Sequence, residues 1–278
     1  MPELPDLEHI IDILQSEIKN EKVANIDILN PIVFRILLAS PVEEILPSRC
    51  LENIHRHGPF VVFTFSEELL IVVHPMLAGR FLLADNNIPN AASNCFSMAF
   101  SSGRTLVYQD SKQMGKVYLL GSADCAKIPR FTTQGPDVIS PEFTREYFFN
   151  KIAKSRKQVR VFLMHQESIS AIGNAYADEI LFHAGIHPKT FCYQLADAQK
   201  NMLYDSILEV IRCGINAVKT ANRPLQEKVR DHVRVRNRQG KPCPNCGAKI
   251  RRAGVRGYDA FFCPKCQPPA REQFISWR

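Results

Sequence analysis

The sequence predicts an α+β chain: an N-terminal helix before a β-sandwich or barrel, then a helical region, then a basic segment with two cysteine pairs. Three observations predict it. Leu7, Ile10, Ile11, Leu14 and Ile18 repeat at the spacing of an amphipathic helix. From Val23 to Asp110 the pattern changes to period two and to short apolar runs separated by turn residues. Beyond Thr132–Ser140 the helical period returns.

The first helix is expected over about Pro5–Asn20, with Pro5 in the first turn, where its missing N–H costs nothing. Strands are expected at Val23–Leu29, Phe60–Phe65, Leu69–Val73, Arg80–Asp85, Cys95–Phe100 and Thr105–Asp110. "SEE", "DNNIPN" and "SSGR" supply turns between them. These elements make a first domain, 1–131, and the Gly-Pro and Ser-Pro steps of 132–140 make a linker. A helical domain follows over 141–223: "PEFTREYFFNKIAK" with Ser140 as N-cap, "KQVRVFLMHQ", "GNAYADEILFHAGI" and "LADAQKNMLYDSILEVIRCGINAV". The Gly-containing "ESISAIGN" turns the chain between two of them. Residues 224–278 are expected to hold a basic strand, a cysteine hairpin and a tail.

Composition narrows the class. With 278 residues, 45% of them hydrophobic, the chain can bury the cores of two domains. The acids Glu3, Asp6, Glu8 and Asp12 argue against a signal peptide, and no apolar run approaches the ~20 residues of a membrane helix. Five of the nine cysteines (Cys50, Cys95, Cys125, Cys192, Cys213) are scattered, as reduced buried thiols are. The expectation is a cytoplasmic, nucleoid-associated protein that is not secreted. Residues 222–278 carry 14 Lys and Arg against 4 Asp and Glu, while the whole chain is only +7. The basic excess therefore lies in the C-terminal fifth, the footprint of a nucleic-acid-facing module. A basic face on an ordinary globular protein is the plainer alternative.

Cys243, Cys246, Cys263 and Cys266 form C-x2-C-x16-C-x2-C, the spacing of a structural four-thiolate zinc site. Gly247 suits the tight knuckle after the first pair. Redox pairs or disulfides are the rival readings. Between the pairs, "GAKIRRAGVRGYDAFF" reads as a β-hairpin bearing Lys249, Arg251, Arg252 and Arg256, cations placed for phosphate.

Three separated pieces, "PELPD" at the N-terminus, "AIGNAYADEILFHAGIHP" (171–188) and the ribbon ending "CPKCQ", together resemble the formamidopyrimidine-DNA glycosylase/endonuclease VIII family. Their order and spacing cover nearly the whole chain. The resemblance implies an N-terminal helix with a two-sheet β-sandwich, then an all-α helix–two-turn–helix domain ending in a four-cysteine zinc β-hairpin. It implies base-excision repair by a bifunctional DNA glycosylase/AP lyase that removes damaged bases, oxidised ones foremost. After loss of Met1, Pro2 would attack C1′ and form a Schiff base, with β- and then δ-elimination; Glu3 would move protons at the sugar. Asn174 and the turn backbone at Gly173 would clamp phosphates, a helix N-cap being the plain alternative for Asn174. Met76 or Leu77 in "HPMLAG", and Lys112 and Met114 in "DSKQMG", would fill the space left by the flipped nucleotide. For Met76 a buried core position is the alternative. The partner would be damaged double-stranded DNA, met by a monomer carrying one Zn2+, with no membrane.

The chain departs from the family pattern at two cations. "HRHGPFVVF" places Pro59 where the family carries a lysine, with Arg56 and His57 nearby. Tyr258 stands where a hairpin arginine is usual, and Arg256, two residues away, would share its face and partly substitute. "KTANRPLQEKVRD" is short for a lesion-capping loop, so no particular oxidised purine is assigned. Three other readings stay open. One is a non-catalytic DNA damage- or structure-binding paralogue, and another is a lyase-only paralogue. The third, a zinc-ribbon transcription or ribosomal factor, would leave the N-terminus unexplained.

Overall fold

A computed structural model describes residues 2–85 and 91–269. The state of Met1, most of the "DNNIPN" turn and the tail beyond residue 269 lie outside these residues. The chain divides into two compact units, Met1–Thr133 with Val218–Val229, and Gln134–Ala217 with Arg230–Arg278. The second crossing, at Val218–Val229, sends part of the chain back to the first unit, which a division into successive segments does not anticipate.

The first unit begins with α1 (Leu4–Ile18), whose Leu4, Leu7, Leu14 and Ile18 are fully buried. Its N-terminus is closed by a capping box: Glu3 N–H donates to Asp6 Oδ2 at 2.8 Å, and the Glu3 side chain accepts in return. Nine strands follow: β1 (Val23–Ile28), β2 (Phe34–Ile36), β3 (Leu51–His57), β4 (Phe60–Phe65), β5 (Leu69–His74), β6 (Arg80–Asp85), β7 (Asn94–Phe100), β8 (Arg104–Gln109) and β9 (Lys116–Gly121). A short helix, α2 (Val42–Ile45), lies between β2 and β3. The strands form two sheets, ordered β1-β7-β8-β6 and β2-β9-β5-β4-β3. The sandwich is therefore observed, and β2 and β9 join the strands legible by pattern.

The central strands of the five-stranded sheet, β9, β5 and β4, are buried on both faces, which explains their unbroken apolar runs. Val61, Phe63, Phe65, Ile71, Val73 and Leu119 point into the core shared with α1 and the other sheet. The alternate residues Phe60, Val62, Leu70, Val72 and Leu120 pack with Ile128 and Phe131 from the chain beyond β9. The segment 218–229 rests on α1: Leu225 enters the core, Lys219 Nζ meets Asp12 Oδ2, and His9 Nε2 lies 3.3 Å from Arg223 O.

The second unit holds α3 (Arg145–Ala153), α4 (Val159–Leu163), α5 (Asn174–His183), α6 (Asp197–Ala221, its last turn counted with the first unit), and the hairpin β10 (Arg251–Val255) and β11 (Tyr258–Phe262). Ser140 is not the cap of α3. The chain turns at 137–143, with Ser140 N donating to Asp137 O and Phe143 N to Ser140 O, so the helix starts later. Thr144 caps it, its Oγ1 accepting from Tyr147 N at 3.1 Å. The expected basic strand is also absent among the described residues. The amides of Arg234, Val235 and Arg236 converge on the Glu179 carboxylate at 2.8–2.9 Å, removing the donors that a ladder would use. Of the five scattered cysteines, Cys95 and Cys192 are buried, Cys50 and Cys125 half-buried, and Cys213 exposed.

Phe63 is fully buried, in the core shared by α1 and the four-stranded sheet. Phe63→Ala is expected to cost about 3–5 kcal/mol in urea denaturation, the cavity cost of a core phenylalanine. A loss under about 1 kcal/mol would contradict the packing described.

Candidate active site and nucleic-acid interface

In the first unit Pro2 is buried at the start of α1, in a narrow cleft lined also by Asp6, His9, Arg80 and Lys228. Glu3 is the N-cap and is only 5% exposed. Arg80 also closes the His74–Gly79 loop, where its guanidinium donates to Gly79 O at 2.7 Å. The cleft around Pro2 thus adjoins the loop carrying Met76 and Leu77. Leu77 is exposed, and Met76 is half-buried with φ +49°, so the core alternative for Met76 does not hold.

His74 holds this loop by accepting from Met76 N–H at Nδ1, 3.1 Å away. Burial, reinforced by Lys116, lowers the His74 pKa to about 4, so the ring stays neutral and Nδ1 stays an acceptor. In the Asp110–Gly115 loop the buried Asp110 carboxylate accepts from Lys112 N at 3.0 Å and from Gly115 N. This turns Lys112 and Met114 outward, both exposed.

Pro59 occupies the two-residue turn of the β3–β4 hairpin, where His57 pairs with Phe60. Gly58 has φ +55°, and proline's fixed negative φ follows it, the sign pattern of a type II′ turn. Neither neighbour takes over the lysine's place. Arg56 is buried with Nε on Glu8 Oε1 at 2.8 Å, and His57 Nε2 lies 2.7 Å from Phe131 O.

In the second unit Gln166 braces the turn before α5. Its side chain accepts from Ala171 N, donates to Ile172 O at 2.9 Å, and so holds Ala171 at φ +60°. Gly173, not Asn174, is the N-cap of α5. Asn174 is the first helical residue, and its Oδ1 accepts from the Arg160 guanidinium at 2.8 Å. Since arginine only donates, that bond turns the amide nitrogen of Asn174 away as a donor.

Arg160 is buried on the Asp178 carboxylate at 2.7 Å and also donates to Asp259 O in β11. Arg236 reaches the same carboxylate and the same carbonyl. Burial raises the proton affinity of Asp178, and the two guanidiniums oppose it. Arg160 also lines a shallow recess with Met164, His165, Arg256 and Tyr258. Tyr258 is 56% exposed. Arg256 does not share its strand face: Val255 pairs with Tyr258, leaving Arg256 (φ +50°) and Gly257 (φ +82°) as a type I′ turn.

The four cysteines converge, all Sγ atoms within 4.8 Å of one another. Cys243–Cys266 and Cys246–Cys263 lie 3.8 and 3.5 Å apart, close to the ~3.8 Å edge of a tetrahedron with ~2.3 Å Zn–S bonds. Amides of Asn245 and Cys266 point at sulfur, as they do toward thiolates. Gly247 (φ +74°) turns the first knuckle. The donor set fits a structural zinc, and Gln267 joins the ribbon to the chain after α5 by accepting from Cys263 N and donating to Ile186 O.

Three family profiles match in sequence: the formamidopyrimidine-DNA glycosylase N-terminal domain over 1–117, its H2TH domain over 134–224, and the zinc finger found in FPG and IleRS over 240–269. The chain belongs to the formamidopyrimidine-DNA glycosylase family. It is similar to the formamidopyrimidine-DNA glycosylases of Desulforamulus reducens (27% identical, covering 96% of this chain and 99% of that one) and of Lactococcus lactis (29%, 96% and 99%). Among solved structures it resembles the Lactococcus lactis Fpg bound to abasic-site DNA and to DNA containing N7-benzyl-Fapy-dG. Each superposes with TM-score 0.87 at 26% identity, over 96% of this chain and all of the other. No helix among the described residues is long and apolar enough to cross a membrane.

Sequence reasoning within this glycosylase family missed Tyr108, Asp110, Arg160, Asp178, Glu179 and Gln267. "NAYADE" carried two buried acids inside a helix, which is a signal; an arginine at 160 among apolar residues carried none.

Two expectations follow. His74 has an ordinary value of 6.5 when unfolded and about 4 when folded, so between those pH values the unfolded chain binds the extra proton. Stability should therefore fall by roughly 3 kcal/mol as pH drops from about 6.5 to 4, and flatten below. Urea titrations should show that slope reduced in His74→Gln. Cys263→Ser should lose the metal and weaken binding to abasic duplex by more than about tenfold in gel shift, since closed thiolate sites hold their fold together.

Proposed function

We propose that Pro2, freed by removal of Met1, is the nucleophile of this chain and Glu3 its proton carrier. Through its family the chain is a DNA glycosylase and AP lyase of base-excision repair, acting on damaged double-stranded DNA. The placement of Pro2 and Glu3 supports the assignment: a capped helix start, in a cleft that takes in Arg80 at the end of a loop with exposed apolar residues.

The chemistry is direct. The Pro2 nitrogen bonds to C1′ as the glycosidic bond breaks and the base leaves with a proton. An α-amino group of reference pKa ~8 is partly neutral near pH 7, which suits attack without a buried lysine. The C1′–O4′ bond then opens, O4′ taking a proton, and the iminium so formed withdraws electrons: the C2′ proton is lost and the C3′–O bond breaks, then the C4′ proton is lost and the C5′–O bond breaks. Glu3 carries protons at the sugar. Asn174, donating through its amide nitrogen, and the Gly173 backbone hold phosphate. Met76, Leu77, Lys112 and Met114 occupy the space of the flipped nucleotide.

Arg256 and Tyr258 border the phosphate at the hairpin, and Pro59 contributes no charge. The non-catalytic alternative is not favoured, because similarity to glycosylases runs the length of the chain. The chain acts as a monomer in the reducing cytoplasm, near chromosomal DNA; the four-thiolate cluster and the cysteines without disulfides support that reading.

Borohydride with abasic duplex should trap a covalent adduct that Pro2→Gly weakens and a retained Met1 abolishes; correctly processed protein that forms none would sink the assignment. Restoring the hairpin cation, Tyr258→Arg, should tighten abasic-duplex binding and steepen its salt dependence by about one unit of log–log slope.

A further inference from the structure

The loops His74–Gly79 and Asp110–Gly115 meet at one side chain. Tyr108 lies in β8, opposite Phe81 of β6, its ring fully buried against Phe81 and Phe96. Its hydroxyl lies between the two glycines that end these loops. A Cβ at Gly115 would overlap Tyr108 Oη and stand 2.9 Å from Asp110 Oδ2, but 3.1 Å from Tyr108 Cζ. A Cβ at Gly79 would overlap both Tyr108 Oη and the Pro75 carbonyl oxygen, with Pro75 Cα at 2.8 Å.

The hydroxyl is buried and has no hydrogen-bond partner among the described residues. A buried, unsatisfied hydroxyl destabilises a fold. Here the hydroxyl instead fills the space beside both loop ends, within contact distance of Gly79 and Gly115. Each loop also holds one residue in the left-handed region, Met76 at φ +49° and Gln113 at φ +52°. Such a backbone persists where its surroundings constrain it.

We propose that Tyr108 is a positioning residue: its hydroxyl is a shared spacer that sets the height of both loops, so that Met76, Leu77 and Met114 enter duplex DNA as one unit. This rests on the reading that those residues fill the space of the flipped nucleotide. Tyr108 touches neither base nor sugar and acts through the two glycines.

The contacts define a suppressor test. Strand cleavage is measured on abasic sites in duplex and in single-stranded oligonucleotides, since only a duplex leaves a space to fill. Gly115→Ala should lower the duplex rate by about tenfold or more and leave the single-strand rate at the wild-type level, a misplaced loop being costly. Adding Tyr108→Phe removes the overlapping atom and should return the duplex rate to within about threefold of wild type. Gly79→Ala should not be rescued, because the Pro75 backbone still blocks it.

Tyr108→Phe alone should lower the duplex-to-single-strand ratio without lowering Tm. It carries the test by itself if Gly115→Ala does not fold. A Met76→Ala/Leu77→Ala chain that cleaves duplex at the wild-type rate would overturn the space-filling reading, and the inference with it. If that chain is impaired while Tyr108→Phe fails to rescue a folded Gly115→Ala, or while Tyr108→Phe alone leaves the ratio unchanged, the spacer role alone is overturned.

Discussion

The Asp178 carboxylate accepts from Arg160 Nε at 2.7 Å, from Arg236 at 2.8 Å and from Phe261 N at 3.2 Å, with no exposure to solvent. Three parts of the second unit meet there: α4 through Arg160, the loop after α6 through Arg236, and β11 through Phe261. A charge buried in this way is tolerated only when paired and hydrogen-bonded, and removing one partner of a buried pair costs about 3–5 kcal/mol. The position of the zinc hairpin against α5 is therefore tied to the position of Asn174. Glu179, the next residue, extends the constraint by gathering three consecutive amides. Phe182, Val235, Ile250 and Phe261 seal the apolar side of the same junction, with the buried Cys243 and Cys263 among them.

The first unit meets a different constraint, a sheet whose central strands have no solvent face. Because β4, β5 and β9 are covered on both sides, their ends are the places where polar chemistry can reach solvent. The loop after β5 carries Met76 and Leu77, the loop before β9 carries Lys112 and Met114, and α1 sets Pro2 and Glu3 at its start. Hydrogen bonds then shape what hydrophobic burial leaves loose. His74 and Asp110 each hold a loop through backbone amides, and Tyr108 takes the space between the loop ends.

Much of this was legible in the residue pattern. The periodicity of Leu7 to Ile18 located α1, and the continuous apolar runs located the central strands. The spacing of the four cysteines located the zinc site. Boundaries set by hydrogen bonds were less legible. Thr144 caps α3 because the preceding residues turn on Asp137, and Gly173 caps α5 because Asn174 is drawn to Arg160. Arg256 illustrates the limit: alternation along a strand put it on the face of Tyr258, but the hairpin turns at that residue.

By itself, the sequence determined which residues are apolar and at what period, which side chains can bind a metal, and that Pro2 and Glu3 stand just before the first helical run. These are local properties, and secondary structure and thiolate spacing follow from them. The tertiary structure decided which polar side chains are spent on architecture and which face outward. Arg56 is consumed by Glu8, Arg160 by Asp178 and Asn174, while Tyr258 and Met114 remain exposed. That division depends on partners 14 to 99 residues distant in the chain, as between Arg160 and Asn174 or Asp259. No local pattern encodes such a pairing, because it exists only once the core has brought the elements together.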